Sequence, residues 1–125
     1  MNPIILVADD EPTIRNLFQE VFSLEGFAVE TAANGAEVIQ LLGGSAGANR
    51  ILLLDLQMPI LDGWGVVRWL VEHPDVKLRT KIILMSAAEK LKQASALEHD
   101  AEMAKPIGID AMLEIIQPFI EGFQS

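Results

Sequence analysis

Asp9, Asp10, Asp55, Ser86 and Lys105 are the side chains whose types and placement could do chemistry together. Each stands directly after a short apolar run: Asp9, Asp10 and Glu11 after 4–8, Asp55 after 51–54, Ser86 after 81–85 and Lys105 after 102–104. If those runs are strands of one open parallel sheet, their carboxyl ends form the edge where ligands bind. Carboxylates brought within a few ångströms either raise one another's pKa or share a hard cation, and oxygen-only ligation favours Mg²⁺. Lys105 precedes Pro106, which biases it to an extended backbone, so that its ammonium can reach back over the acids. A metal, an ammonium and the Ser86 hydroxyl would meet the three oxygens of a phosphoryl group carried on Asp55. The set describes an aspartyl-phosphate site.

Each member has a plainer reading when taken singly. An Asp after a strand caps a turn or a helix, Ser86 can cap the next helix, and Lys105 can be a solvated lysine. Two adjacent acids, however, exceed what one cap requires, and five such residues at matching positions share one explanation. Met58-Pro59 and Asp62-Gly63 read as loop geometry beside Asp55. His73 and His99 read as solvated or capping residues, and Trp64 and Trp69 as packing or partner surface.

The elements that must position these residues follow from periodicity. Short apolar runs at 4–8, 28–31, 51–54, 81–85 and, more weakly, 102–104 alternate with segments of helical period. Such alternation predicts an α/β fold: a three-layer, doubly wound, five-stranded parallel sheet. In the flavodoxin-like order 2-1-3-4-5, strands one and three are neighbours, which unites Asp9, Asp10 and Asp55. The first helix starts near Pro12, ends before Gly26 and buries Ile14, Leu17, Phe18, Val21 and Phe22. A second covers 35–42, followed by a flexible connection at 43–47. A third covers 64–72 and stops at His73-Pro74. The last carries Ile109, Met112, Leu113, Ile116 and Ile120 on one side, with a kink expected at Pro118.

Four motifs in order carry a family resemblance: Ile-Leu-Val-Ala-Asp-Asp-Glu-Pro at 5–12, Leu-Asp-Leu-Gln-Met-Pro-Ile-Leu-Asp-Gly at 54–63, Ser86-Ala87 and Lys105-Pro106. Together they resemble a bacterial response-regulator receiver domain of the CheY-like kind, over the whole chain. The resemblance implies that Asp55 is the phospho-acceptor, that Asp10 and Asp55 ligate Mg²⁺ with the backbone carbonyl of Gln57, and that Asp9 acts directly or through water. It implies phosphoryl contacts from Ser86 and Lys105. It implies as donor a phosphohistidine on a sensor histidine kinase or histidine phosphotransfer protein, with an unidentified downstream protein as target. The chain departs from that family in three places. Glu102 stands where an aromatic residue usually precedes the lysine by three. Ser86 and Lys105 are 19 positions apart (105 minus 86), about one helical turn short, so a truncated fourth helix is expected. Ile107 replaces a frequent Phe.

Composition bounds the rest. A chain of 125 residues suits one domain, expected to span 1–125 without an effector domain. Nine Lys and Arg against eighteen Asp and Glu give a charge of −9, which disfavours direct nucleic-acid binding. The absence of cysteine, of a membrane-length apolar run and of a basic leader flank points to a cytoplasmic setting. The function expected is self-phosphorylation with a change of interaction surface, not turnover of an external substrate. A haloacid-dehalogenase-type phosphatase is the enzyme alternative, but it would carry a second Asp where Gln57 stands. A pseudo-receiver with altered switching is the binding-module alternative. A flavin site is opposed by the acids at 9–11.

Overall fold

The computed structural model describes residues 2–44 and 47–124. Its elements run β1 (Ile4–Ala8), α1 (Pro12–Leu24), β2 (Val29–Ala32), α2 (Gly35–Gly44), β3 (Arg50–Asp55), α3 (Gly63–Glu72), α4 (Pro74–Leu78), β4 (Thr80–Ser86), α5 (Ala88–Gln93), β5 (Ala101–Ala104) and α6 (Ile109–Gln124). The five strands form one sheet in the order β2-β1-β3-β4-β5, and all four pairings are parallel. The expected α/β class and strand order are both found.

The apolar runs are continuous because both sheet faces are covered, and successive side chains sort to opposite faces. Leu6, Leu52, Leu54, Ile82 and Leu84 pack with Val38, Leu42, Val66, Leu70 and Leu91 from α2, α3 and α5. Ile5, Val7, Ile51, Leu53, Ile83 and Met85 pack with Phe18, Phe22, Met112, Ile116 and Ile120 from α1 and α6. Each such side chain contributes roughly 1.5–3 kcal/mol on burial, so β3, buried along its whole length, anchors the sheet. A charge opens that strand. Arg50 is 1% exposed, and its Nε donates to Glu30 Oε1 at 2.7 Å while Nη2 donates to the Leu41 carbonyl at 3.2 Å. These contacts allow a guanidinium inside the sheet layer.

Several expected bounds are corrected. The second strand lies one residue later, since Ala28 is exposed and only lends its carbonyl to the Ile5 amide. Strands three and four are longer than their apolar runs, so Asp55 and Ser86 are their last residues and do not follow them. Gly43 and Gly44 complete α2 where a flexible connection was expected, while Ser45 and Ala46 lie outside the described residues. Leu17, assigned to the buried stripe of α1, is exposed, because α1 turns only Phe18 and Phe22 fully inward. The third helix begins at Gly63, capped by Asp62, whose side chain accepts from the Gly65 amide. The third helix does end at Glu72, with His73 as its C-cap before Pro74, and what was not expected is that Pro74 then starts the five-residue α4. Trp69 stacks on His73, ring centroids 3.9 Å apart, at the joint between α3 and α4. The shortened helix is present as the six-residue α5, and α6 continues through Pro118.

Candidate functional site

Register builds the site. Ala8 pairs with Leu54, so the residues after them, Asp9 and Asp55, emerge side by side at the carboxyl edge of the sheet. On the other flank Ser86 pairs with Ala104, and the Lys105 amide donates to the Ser86 carbonyl at 2.8 Å. Asp9, Asp10 and Asp55 each present a carboxylate oxygen, and these oxygens lie within 4.8 Å of one another. Lys105 Nζ stands 2.9 Å from Asp9 Oδ2, 3.3 Å from Asp55 Oδ2 and 3.6 Å from Glu11 Oε1. Ser86 is buried at the end of β4. The five predicted side chains therefore all sit at one edge, three of them as a compact acid cluster under one ammonium.

Local hydrogen bonds orient the acids. The Glu11 amide donates to Asp9 Oδ1 at 2.9 Å, and Arg15 Nη1 donates to the Asp9 carbonyl at 2.8 Å. The Gln57 amide donates to Asp55 Oδ1 at 3.1 Å. Burial is the largest influence on Asp55 and pushes its carboxyl from 3.8 up to about 6, with the Asp9 charge adding to the rise; the Gln57 amide and Lys105 work the other way without cancelling it. For Lys105 burial disfavours the charge, but hydrogen bonding and attraction from Asp9 and Asp55 outweigh it and hold the ammonium above its ordinary range. Asp9 Oδ2 is buried, and among the described residues the Lys105 ammonium at 2.9 Å is its one close partner. A buried oxygen of this kind, in an oxygen-only set carrying three negative charges, fits a hard divalent cation.

Residues not singled out from sequence also meet here. Glu11 shares Lys105, and Arg15 ties α1 to the turn after β1. The adjacent signal was the acid run at 9–11, but nothing in it tells which acid turns inward. Glu102, exposed on β5, has its Oε2 3.2 Å from His99 Nε2, so His99 is paired and not merely solvated. In the loop after Asp55, Ile60 is 83% exposed with φ 69. A β-branched residue there costs roughly 1–2 kcal/mol and packs against little. Ile60→Asn is therefore expected to raise stability by about 0.5–1 kcal/mol in urea unfolding, since Asn tolerates that conformation. An unchanged or lower midpoint would show that Ile60 is not strained.

The profile of the response regulator receiver domain matches residues 5–117. Among curated proteins, sporulation initiation phosphotransferase F of Bacillus subtilis (strain 168) is 29% identical over 126 residues, covering 96% of this chain and 95% of that one. The probable transcriptional regulator ycf27 of Cyanidium caldarium is 29% identical over 97% of this chain, which spans about half (47%) of that protein's length. Among solved structures, response regulator protein TrrA of Thermotoga maritima, in complex with Mg²⁺-BeF, superposes with a TM-score of 0.77 at 29% identity, covering 93% of this chain and 97% of that one. A profile that runs from β1 into α6, on a sheet of order 2-1-3-4-5 with acids at its carboxyl edge, places this chain in the response regulator receiver domain family of two-component signalling.

Proposed function

We propose that Asp55 accepts a phosphoryl group from a phosphohistidine on a sensor histidine kinase or histidine phosphotransfer protein, and that the phosphorylated domain signals through a changed interaction surface. One observation carries this reading: the three carboxylates of Asp9, Asp10 and Asp55 converge within 4.8 Å, with Lys105 against two of them. An Asp55 carboxylate oxygen forms a bond to phosphorus as the P–N bond breaks, and the electron pair leaves with the imidazole. Lys105 Nζ is positioned to exchange its Asp55 contact for a phosphoryl oxygen, and the Ser86 hydroxyl is the donor for another. Asp10, Asp55 and the Gln57 carbonyl would hold Mg²⁺, with Asp9 direct or through water. When bound, the ion offsets the charge of the acids and of the incoming phosphoryl oxygens. The domain acts on itself and not on an external substrate. The domain would do this in the cytoplasm; no helix among the described residues is long and apolar enough to cross a membrane.

Incubation with Mg²⁺ and acetyl phosphate, read by intact mass, is expected to add one phosphoryl group to the wild type and none to Asp55→Asn. Absence of an adduct with several donors would remove the acceptor role, and an equal adduct on Asp55→Asn would move it to another residue.

A further inference from the structure

Beside the acid cluster lies an open pocket of about 480 Å³, lined by Asp10, Gln57, Met58, Asp62, Trp64 and Lys90 among others. Asp10 lines it, and the Asp10 carboxylate lies within 4.8 Å of that of Asp55, so this pocket opens on the solvent side of the acceptor. Asp55, Asp9 and Ser86 are themselves almost fully buried, so the sheet closes the inner side. In an in-line displacement the leaving group departs opposite the attacking oxygen. For Asp55 that direction is outward, into this pocket.

Lys90 is the cation of the pocket, half-buried near the start of α5. The other nearby ammonium, Lys105, is already shared among Asp9, Asp55 and Glu11. Lys90 makes no ion pair among the described residues, although Asp10 and Asp62 line the same pocket. On a chain of charge −9, with two acids at this opening, one uncommitted cation strongly shapes which anions are admitted.

We infer that Lys90 and the pocket it lines form a leaving-group subsite for acyl phosphates, in which the Lys90 ammonium stabilises the departing carboxylate. The inference rests on the acceptor role of Asp55. With an acyl phosphate, the Asp55 oxygen bonds to phosphorus, the bond from phosphorus to the acyl oxygen breaks, and the electron pair leaves on a carboxylate. Negative charge then develops where Lys90 can meet it. With phosphoramidate the P–N bond breaks and ammonia departs neutral, so Lys90 has no charge to stabilise. The subsite thus separates donors by the charge of what they leave behind.

The test compares phosphorylation rates of the full chain at fixed Mg²⁺ for the wild type, Lys90→Gln and Lys90→Arg, with acetyl phosphate and with phosphoramidate. Lys90→Gln is expected to slow the acetyl phosphate reaction about three- to tenfold while leaving phosphoramidate within about twofold, and Lys90→Arg to stay within about twofold with both. Raising the salt should shrink the acetyl phosphate difference. Tryptophan fluorescence titration should give the same Mg²⁺ affinity for all three proteins. Equal losses with both donors, no loss with either, or a weakened Mg²⁺ affinity in Lys90→Gln would each overturn the subsite. A wild type that takes a phosphoryl group from neither donor would overturn the acceptor role itself, and the subsite with it.

Discussion

Asp55→Asn is expected to raise the melting temperature of the metal-free protein at pH 7.5 by about 4–8 °C and, if Asp55 is the magnesium ligand proposed above, to remove most of the stabilisation gained on adding Mg²⁺ to the wild type. The folded-state carboxyl titrates at about 6, above its ordinary 3.8. Below about pH 4 it is neutral in the folded and unfolded chains alike and contributes nothing. Between about 4 and 6 the folded chain binds more protons than the unfolded one, so stability falls as pH rises, and above about 6 the whole penalty is present. A shift of this size corresponds to about 3 kcal/mol at most. The amide returns only part of it, because its Nδ2 or Oδ1 cannot satisfy both the Gln57 amide and Lys105 as a carboxylate does. A net gain of about 1–2 kcal/mol remains. Melting curves in chelator at pH 4, 5, 6 and 7.5 isolate the effect as a difference between two proteins whose other acids are the same. A difference that does not grow between pH 4 and 6 would mean that burial does not penalise the Asp55 charge.

The same physics explains what could be read in advance. Strands covered on both faces are spelled as unbroken apolar runs, which is why 51–54 marked the central strand and Asp55 its end. The parallel arrangement puts every strand's carboxyl end on one edge, so polar residues at those ends declare a shared site. What could not be read depends on partners distant in sequence. Arg50 lengthens β3 because Glu30, twenty positions earlier, and the Leu41 carbonyl receive its charge. Glu11 joins Lys105 only after the strands carrying them are in register. Lys90 on α5 looks solvated until the helix is set against the pocket beside Gln57. The five-residue α4 is too short for a periodic signal, and Pro74, which ends one helix, also begins the next. Glu102 is a departure visible in the residue string, whereas its pairing with His99 emerges only once β5 and the turn before it are placed.

Gly63→Ala is expected to disable the site through the backbone while leaving every charged group in place. A methyl group there would lie 2.5 Å from the Asp55 carbonyl oxygen and 2.8 Å from Leu56 Cα. Both are backbone atoms at the end of the most buried strand, and neither can rotate away. The Gly63 amide also donates to the Leu56 carbonyl at 3.1 Å, so relieving the clash means pulling the start of α3 off β3. Overpacking of this kind costs about 3 kcal/mol. The shift passes through the segment that holds the Gln57 amide on Asp55 Oδ1, and a displacement near 1 Å at a reacting group lowers its rate by roughly a hundredfold. Gly65→Ala is the matched control. Its methyl group would meet Leu61 Cδ1 and, at 2.9 Å, Leu61 Cγ, but both belong to a single partly buried side chain that can turn aside where a backbone cannot, and a smaller loss of about 1 kcal/mol is expected. Urea unfolding and the acetyl phosphate reaction, run on both variants, read stability and positioning separately. Equal stabilities for the two would show that the β3–α3 connection yields freely, and a normal phosphorylation rate in a destabilised Gly63→Ala would show that Asp55 is oriented without it. The expected pattern, a large loss of both in one variant and of neither in the other, would locate the orientation of Asp55 in the contact of Gly63 with the end of β3.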